Sequence, residues 1–396
     1  MGAGPAEVAT APVEGVGEVI RSLVGEVVPA DRVAPLWVGM LSYEAGAWAD
    51  PAIARAGGDD PTGVPCAWWG RYGAVVVGAA GGCYVVGDDA TGVDRLELLV
   101  AGAQLAPPAP AEPPAGPWID ALRPARSDAQ LAAAIRRVLG WIEAGDVYQA
   151  NVTRRFSGTL VAGVTPADLF ERLRSLGPVP YAALLDLGAQ AVVSLSPECF
   201  LDVDLATRRV VTCPIKGTRP RGATEAEDRA LASELRADPK ELAEHVMIVD
   251  LERNDLGRVC EVGSVVVDER WPVVSFPGVH HLVSTVSGRL RAGVGLDSVL
   301  RATFPCGSIT GAPKVRACQV IAEVEGEPRG VYCGAIGWVD PRGRAGFSVP
   351  IRTGVVRGRT LHVHAGGGIV ADSDPEREVA EGRLKLGTWM RALGLQ

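Results

Sequence analysis

Two stretches of the chain repeat one device. Asp238-Pro239 and Asp374-Pro375 each set an acid before proline, a pattern that predicts helix starts with Asp as N-cap and Pro at the first position. In the first predicted helix Glu241 and Glu244 are three residues apart and share a face; in the second, Glu378, Glu381 and Lys385 stack at spacings of three and four. If the two faces meet across a cleft, four carboxylates converge. That set suits Mg²⁺, a hard cation that takes one or two carboxylates and keeps water or substrate oxygens in its other positions. The plain alternative is two solvated helix faces. The apolar run Val246-Met247-Ile248-Val249 after Glu244 tilts the balance, because it predicts a largely buried helix, and a buried carboxylate needs a partner.

Basic and flexible residues supply the complementary chemistry. Lys216, in Pro214-Ile215-Lys216-Gly217-Thr218-Arg219-Pro220-Arg221, lies at a predicted strand end beside turn residues. Its ammonium could hold an anion or, with its pKa depressed near a cation, act as a nucleophile. Gly366-Gly367-Gly368 follows the strand-like Leu361-His362-Val363-His364, so bare backbone N–H groups could approach a carboxylate there, the plain alternative being a flexible turn. Gly307-Ser308-Ile309-Thr310-Gly311-Ala312-Pro313-Lys314 fails the G-x-x-x-x-G-K-[ST] pattern and implies no nucleotide binding. His362 and His364 share a strand face without a nearby third ligand, so a structural role is expected of them.

The elements that must position these groups read as an α+β protein, with large antiparallel or mixed sheets packed with helices. Strand-like runs include Ala74–Val77, Cys83–Val86, Tyr181–Leu185, Ala191–Leu195, Arg209–Val211 and Gly334–Trp338. Ser127-Asp128-Ala129-Gln130 is a capping-box pattern opening a helix with apolar positions at Leu131, Ile135, Val138, Leu139 and Ile142, stopping near Gly145. Six prolines between Ala106 and Pro117 predict an extended connector, dividing a strand-rich lobe at 1–105 from a region at 118–396. With 396 residues, 47% of them hydrophobic and 22% charged, the chain is globular rather than disordered. Its net charge of −8 argues against a nucleic-acid partner. No apolar stretch is long enough for a membrane span, and Met1-Gly2-Ala3-Gly4-Pro5 has no positive n-region, so no secretory signal is expected. The eight cysteines are scattered without C-x-x-C, which fits a reducing cytoplasm.

Eight blocks, in order, resemble the chorismate-utilising enzymes: anthranilate synthase component I, aminodeoxychorismate synthase component I, and the isochorismate and salicylate synthases. They are Gly145–Asn151, Ser196–Phe200, Pro214–Pro220, Glu241–Arg258, His281–Ser284, Phe304–Lys314, Tyr332–Gly337 and Gly366–Lys385. The resemblance covers roughly residues 120–390 strongly and the first hundred weakly, and it implies a fold like that of anthranilate synthase component I with a central cleft. It implies that Glu244 and Glu381 bind Mg²⁺, with Glu241 and Glu378 as outer or water-mediated helpers. Arg352, Lys385, Tyr332 and the backbone of Gly366, Gly367 and Gly368 would hold the carboxylates of chorismate, and His281 would line the ring pocket. Glu198 matches the general acid that protonates the departing C4 hydroxyl, a contribution of about 10²–10⁴-fold.

Lys216 discriminates within this group. The resemblance implies lysine there in aminodeoxychorismate (para-aminobenzoate) synthases of folate biosynthesis, and alanine in anthranilate, isochorismate and salicylate synthases. The lysine amine would attack C2 as the C4 hydroxyl leaves, and ammonia would then attack C4 and expel it, giving 4-amino-4-deoxychorismate. Gln149 stands where isochorismate-type enzymes have a water-activating lysine, and its amide cannot be that base. The alternatives are anthranilate synthase component I or an aminodeoxyisochorismate synthase. No glutaminase domain is apparent, so ammonia is expected from a separate glutamine amidotransferase subunit or from solution. Two departures fall beside the site: Cys306, where the group often has glycine, and Cys199, where close relatives often have arginine.

Overall fold

The computed structural model describes residues 5–24, 36–79, 82–105, 116–269, 272–276, 278–340 and 342–395. Apart from residues 116 and 117, the expected connector at 106–117 lies outside the described residues. Strand pairing is antiparallel throughout them. The larger sheet runs Glu7–Ala11, Ala67–Tyr72, Leu36–Leu41, Ala335–Asp340, Arg344–Ser348, Cys199–Asp204, Arg209–Cys213, Thr285–Arg289, Val266–Glu269. Strand Leu36–Leu41 pairs with Ala335–Asp340, so the first hundred residues and the region after the connector share this sheet.

A second sheet runs Gly311–Ala312, Gln149–Thr159, Thr360–Ile369, Thr353–Arg357, Gln190–Ser196, Tyr181–Asp186, with Arg123–Pro124 beside Gln149–Thr159. The two sheets meet through alternate side chains, Met40, Trp68 and Ile336 packing with Leu185, Val192 and Val355. Helices Asp128–Glu143, Pro239–Gly257, Leu296–Thr303 and Lys314–Glu325 contribute to a further core with Val203, Val210 and Val286 of the larger sheet. Each such buried aliphatic side chain stabilises by roughly 1.5–3 kcal/mol.

The helices begin where the capping residues require. Ser127 Oγ accepts from Gln130 N at 3.2 Å while Gln130 Oε1 accepts from Ser127 N at 2.8 Å, and Leu131, Ile135 and Val138 form the buried stripe. Asp238 Oδ1 accepts from the backbone N–H groups of Lys240 and Glu241 at 3.0 and 3.2 Å, starting helix Pro239–Gly257. Asp374 Oδ1 accepts from Arg377 N at 2.9 Å, starting helix Pro375–Lys385. In the first helix, Ile248 and Val249 of the predicted apolar run are buried while Val246 is 46% exposed. The second packs over strand Thr360–Ile369, which carries the three glycines.

Candidate active site

Glu198 occupies the turn between strands Gln190–Ser196 and Cys199–Asp204 and is 3% exposed. Its Oε1 accepts from Ile215 N at 3.4 Å, which ties it to the start of the strand bearing Lys216. Burial raises the carboxyl above its ordinary value, against the opposing pull of a Ser308 hydrogen bond and of Lys216. Lys216 is half-buried and donates from Nζ to the Ser308 carbonyl at 3.0 Å. Desolvation lowers its pKa although Glu198 and Glu244 work the other way. A lowered amine beside a raised acid is the combination that nucleophilic and acid chemistry need.

Strand Ile215–Pro220 pairs with Val279–Val283, with Lys216 opposite Leu282, Thr218 opposite His281, and an irregularity at Gly217 between them. Gly217 has φ +69°, and a Cβ there would approach Leu235 to 2.9 Å and Glu241 Oε2 to 3.1 Å. His281 Nδ1 sits 2.9 Å from the Gly217 carbonyl, and burial lowers the imidazole to about 4. The neutral ring therefore donates from Nδ1 and leaves Nε2 as a buried lone pair with no hydrogen-bond partner among the described residues.

Arg352 lies close enough to His281 to help lower its pKa. Its backbone is left-handed (φ +52°), as is that of Cys333 (φ +63°), a conformation that costs of order 1–3 kcal/mol in a non-glycine residue and clusters at functional sites. No hydrogen bond or ion pair engages the Arg352 guanidinium among the described residues, and burial lowers its pKa. Tyr332, buried, stacks on His364 at 5.1 Å, while the hydroxyl of Ser157 and Nδ1 of His362 are 2.8 Å apart. Gln149 is fully buried, and neither amide atom has a hydrogen-bond partner among the described residues. A Cβ at Gly368 would lie 2.9 Å from its Nε2, so the glycine leaves the space beside this orphaned amide.

The neighbouring Gly367 performs the same service on the opposite side. A Cβ there would fall 3.3 Å from both Glu378 Oε2 and Lys385 Nζ, and 3.9 Å from Glu381 Oε1. Lys385 is engaged already, donating to the Gly366 carbonyl at 3.0 Å and pairing with Glu381 at 2.9 Å. Glu244 lies 4.0 Å from Lys240, Glu241 pairs with Arg219 at 3.3 Å, and Glu378 accepts from Ser373 Oγ at 2.7 Å. Burial raises Glu244 against the pull of Lys216 and Lys240, and the negative charges of Glu241 and Glu378 add to the rise, so Glu378 of the second capped helix lies within electrostatic reach of Glu244 on the first. Burial also raises Glu378; at Glu381 burial is outweighed by the charge and hydrogen bond of Lys385 together with the charges of Lys240 and Lys216, and the pKa is lowered. Among the described residues no group of three or more His, Cys, Asp or Glu side chains is gathered tightly enough to hold a metal ion. The carboxylates of Glu378 and Glu381 are nonetheless hard oxygen donors beside the Gly367 cradle, with Glu244 in electrostatic reach, a donor chemistry that fits a cation taking one or two carboxylates and completing its shell with other oxygens.

Lys216 is within electrostatic reach of Glu198, Glu244 and Lys385, and Glu381 within reach of Lys216, so the predicted acid, amine and carboxylate groups share one neighbourhood. Ser308, Asn151 and Glu252 join them without having been singled out. Asn151 Nδ2 donates to the Ser308 carbonyl at 3.2 Å, and Glu252 Oε1 accepts from Gly307 N at 2.9 Å. The signal for Ser308 was the Gly307–Lys314 stretch, informative as a turn holding Lys216 rather than as a phosphate loop.

This arrangement belongs to a known family. A family model described as chorismate binding enzyme matches residues 13–391, and the chain belongs to that family. Anthranilate synthase component 1 of Thermus thermophilus is 48% identical over 248 residues, which is 63% of this chain and 53% of that protein. An aminodeoxychorismate synthase of Streptomyces griseus is 46% identical over 252 residues, 64% of this chain and 34% of that protein. The matched region thus spans about half of the first relative and a third of the second. The crystal structure of anthranilate synthase component I from Streptococcus pneumoniae superposes with a TM-score of 0.83 at 28% identity, covering 99% of this chain and 91% of that one. The expected α+β fold of that type is therefore present. No helix among the described residues is long and apolar enough to cross a membrane.

Proposed function

We propose that the protein aminates chorismate with loss of the C4 hydroxyl, and that the amino group is delivered to C4. One observation carries the choice of C4: the Lys216 amine, 3.0 Å from the Ser308 carbonyl, has its pKa lowered by burial beside a protonatable Glu198. In this reading Arg352 and Tyr332 bind substrate carboxylates, His281 lines the ring, and the Gln149 amide meets a polar substrate atom beside Gly368. Glu244 and Glu381 would hold Mg²⁺, with Glu241 and Glu378 behind them and Lys385 against the glycines. When bound, that ion supplies positive charge for the ring carboxylate.

The Lys216 nitrogen forms a bond to C2, the ring double bonds shift, and the C4–O bond breaks as Glu198 gives its proton to the departing hydroxyl, releasing water. Ammonia then bonds to C4, the double bonds return, and the C2–N bond breaks to restore the neutral lysine. The new ammonium at C4 loses a proton to the Glu198 carboxylate, which resets the acid. Gln149 has no basic nitrogen and activates no water. Ammonia is proposed to come from a separate glutamine amidotransferase subunit, a partner consistent with the "component 1" names of relatives.

The second reading is anthranilate formation, by amination at C2. By weight of relatives it stands ahead: the Thermus protein and the pneumococcal structure carry anthranilate synthase names, against one aminodeoxychorismate synthase described above. Mass spectrometry and NMR of the product from chorismate, Mg²⁺ and ammonium separate the two. A C4 amine upholds the first reading; anthranilate or a C2 amine overturns it.

A further inference from the structure

Strand Cys199–Asp204 pairs with Arg209–Cys213, and at one end of that ladder Cys199 stands directly opposite Cys213. The ladder shifts register between Cys199 and Asp202, so the two cysteines form its end pair, beyond a bulge. Residues opposed in an antiparallel pair present their side chains on one face. Their Cα atoms stand about 4.5 or 5.5 Å apart, according to the hydrogen-bonding class of the pair, and both spacings fall within the roughly 4.4–6.8 Å that a disulfide accepts. Both cysteines are free, Cys199 buried and Cys213 half-buried, with Cys213 Sγ 3.9 Å from Thr285 Oγ1. Among the described residues no other two cysteines are opposed in a ladder. Cys199, noted above as a departure from the family pattern, is thus one half of a pair.

The pair sits where a cross-link would be felt. Glu198 immediately precedes Cys199, Lys216 follows Cys213 by three residues, and Glu198 Oε1 accepts from Ile215 N at 3.4 Å. We propose that Cys199 and Cys213 are an oxidation site: a peroxide joins them in a reversible disulfide that staples the turn bearing the acid to the segment leading into the amine, and turnover slows. Bonding draws the two sulfurs to about 2.0 Å, and a displacement of about 1 Å at reacting groups can cost about 10²-fold in rate. The inference rests on Glu198 and Lys216 facing the substrate, as in the reading above, but not on which carbon is aminated.

The two thiols are unequal in the way such a step needs. The Cys199 thiol lowers the pKa of Cys213 against burial, whereas Cys213 and burial together raise Cys199. The Thr285 hydroxyl and Arg209 also favour the Cys213 thiolate, and Asp202 opposes it. Cys213, the more accessible and the more readily ionised, therefore attacks first. Its sulfur bonds to one peroxide oxygen as the O–O bond breaks, and the departing hydroxide takes a proton from solvent, leaving a sulfenic acid and one water. The Cys199 sulfur then bonds to that sulfur, the S–O bond breaks, and the leaving hydroxide carries off the Cys199 proton as a second water. Two thiols lose two electrons in all and one peroxide gains them. Dithiothreitol reverses the bond by exchange.

The test exposes the full, reduced chain to hydrogen peroxide, blocks the remaining thiols and maps the unreduced peptides by mass spectrometry. The expected product joins the peptides of Cys199 and Cys213 with the loss of two hydrogens. Chorismate consumption with Mg²⁺ and ammonium should slow about tenfold or more and recover in dithiothreitol. Cys213→Ser should form no cross-link and keep its untreated rate through the same exposure. Cys199→Ser should also form none, and its Cys213 should take up dimedone, a reagent for sulfenic acids. A wild type without that cross-link overturns the inference. So does a cross-link that leaves the rate unchanged, or a rate loss that persists in Cys213→Ser. Where Cys213→Ser does not fold, Cys199→Ser decides by its peptide map and dimedone adduct. Product analysis of the reduced wild type runs alongside. Anthranilate would end the C4 reading and leave this test intact, because the rate followed is that of chorismate loss. No turnover in the reduced protein would end the reading above, while the peptide map still decides the cross-link.

Discussion

At the acid, Glu198 is 3% exposed in a turn between strands, and burial raises its carboxyl. At the paired carboxylates, the Glu381 side chain is 55% exposed on a helix, paired with Lys385 at 2.9 Å, and its carboxyl is lowered. The same residue type thus stays protonatable where water is excluded and anionic where water and a cation reach it. The first state suits giving a proton to a poor leaving group, the second suits holding a cation. Backbone placement rather than residue type decides between them.

The largest effect should come from the amine that serves the acid side. Lys216→Ala is expected to take C4-amine formation from ammonium to the detection limit, read by chromatography and mass spectrometry. A product rate matching wild type would leave the lysine without its assigned task. Glu198→Gln should lower kcat about 10²–10⁴-fold while chorismate affinity, followed by fluorescence titration, stays near wild type. A loss confined to affinity would place Glu198 among the binding residues instead.

The pH dependence follows from the directions of the two shifts. Lys216 attacks only as the free amine and its pKa is lowered, so activity falls as pH drops through that value. Glu198 acts only when protonated and its pKa is raised, so activity falls as pH climbs through it. Glu198→Gln should abolish the alkaline limb while keeping the acid limb, which a kcat profile would reveal. Retention of both limbs would assign the upper one to another group.

Smaller effects belong to the binding and cation sides. Arg352→Ala should raise the chorismate Kd about 10–100-fold, the worth of one charge-assisted hydrogen bond, with little change in kcat. An unchanged Kd would mean that its left-handed backbone has a purely structural origin. Glu378→Gln should weaken Mg²⁺ about 10–100-fold, as for a residue behind the first ligands, with Glu244→Gln and Glu381→Gln at or above that range. Isothermal titration checks this, and wild-type affinity in all three would dissolve the contrast between the two groups of carboxylates.

Much of this contrast was legible in the sequence because it sits in local signals. The Asp-Pro starts fixed both helix phases, so Glu241, Glu244, Glu378 and Glu381 could be placed on faces before their surroundings were known. The triple glycine could be seen, but only the fold reveals that Gly367 faces Glu378 and Lys385 while Gly368 faces Gln149, since alternation along a strand needs its neighbours. Ser308 and Glu252 were illegible for a different reason. Their contacts join residues 54 and 55 positions apart, for Cys306 and Gly307 with Glu252, and 92 apart for Ser308 with Lys216, separations at which no local period carries information. The sharing of one sheet by Leu36–Leu41 and Ala335–Asp340 was hidden in the same way.

The central claim is that the Lys216 nitrogen bonds to the substrate ring. Mass spectrometry of protein quenched during turnover with chorismate, Mg²⁺ and no ammonia tests it most directly. C4 amination through this lysine predicts an added mass of chorismate less one water on the peptide containing Lys216, lost again when ammonium is supplied. Unmodified Lys216 throughout, in enzyme that converts chorismate to anthranilate once ammonium is present, would contradict it.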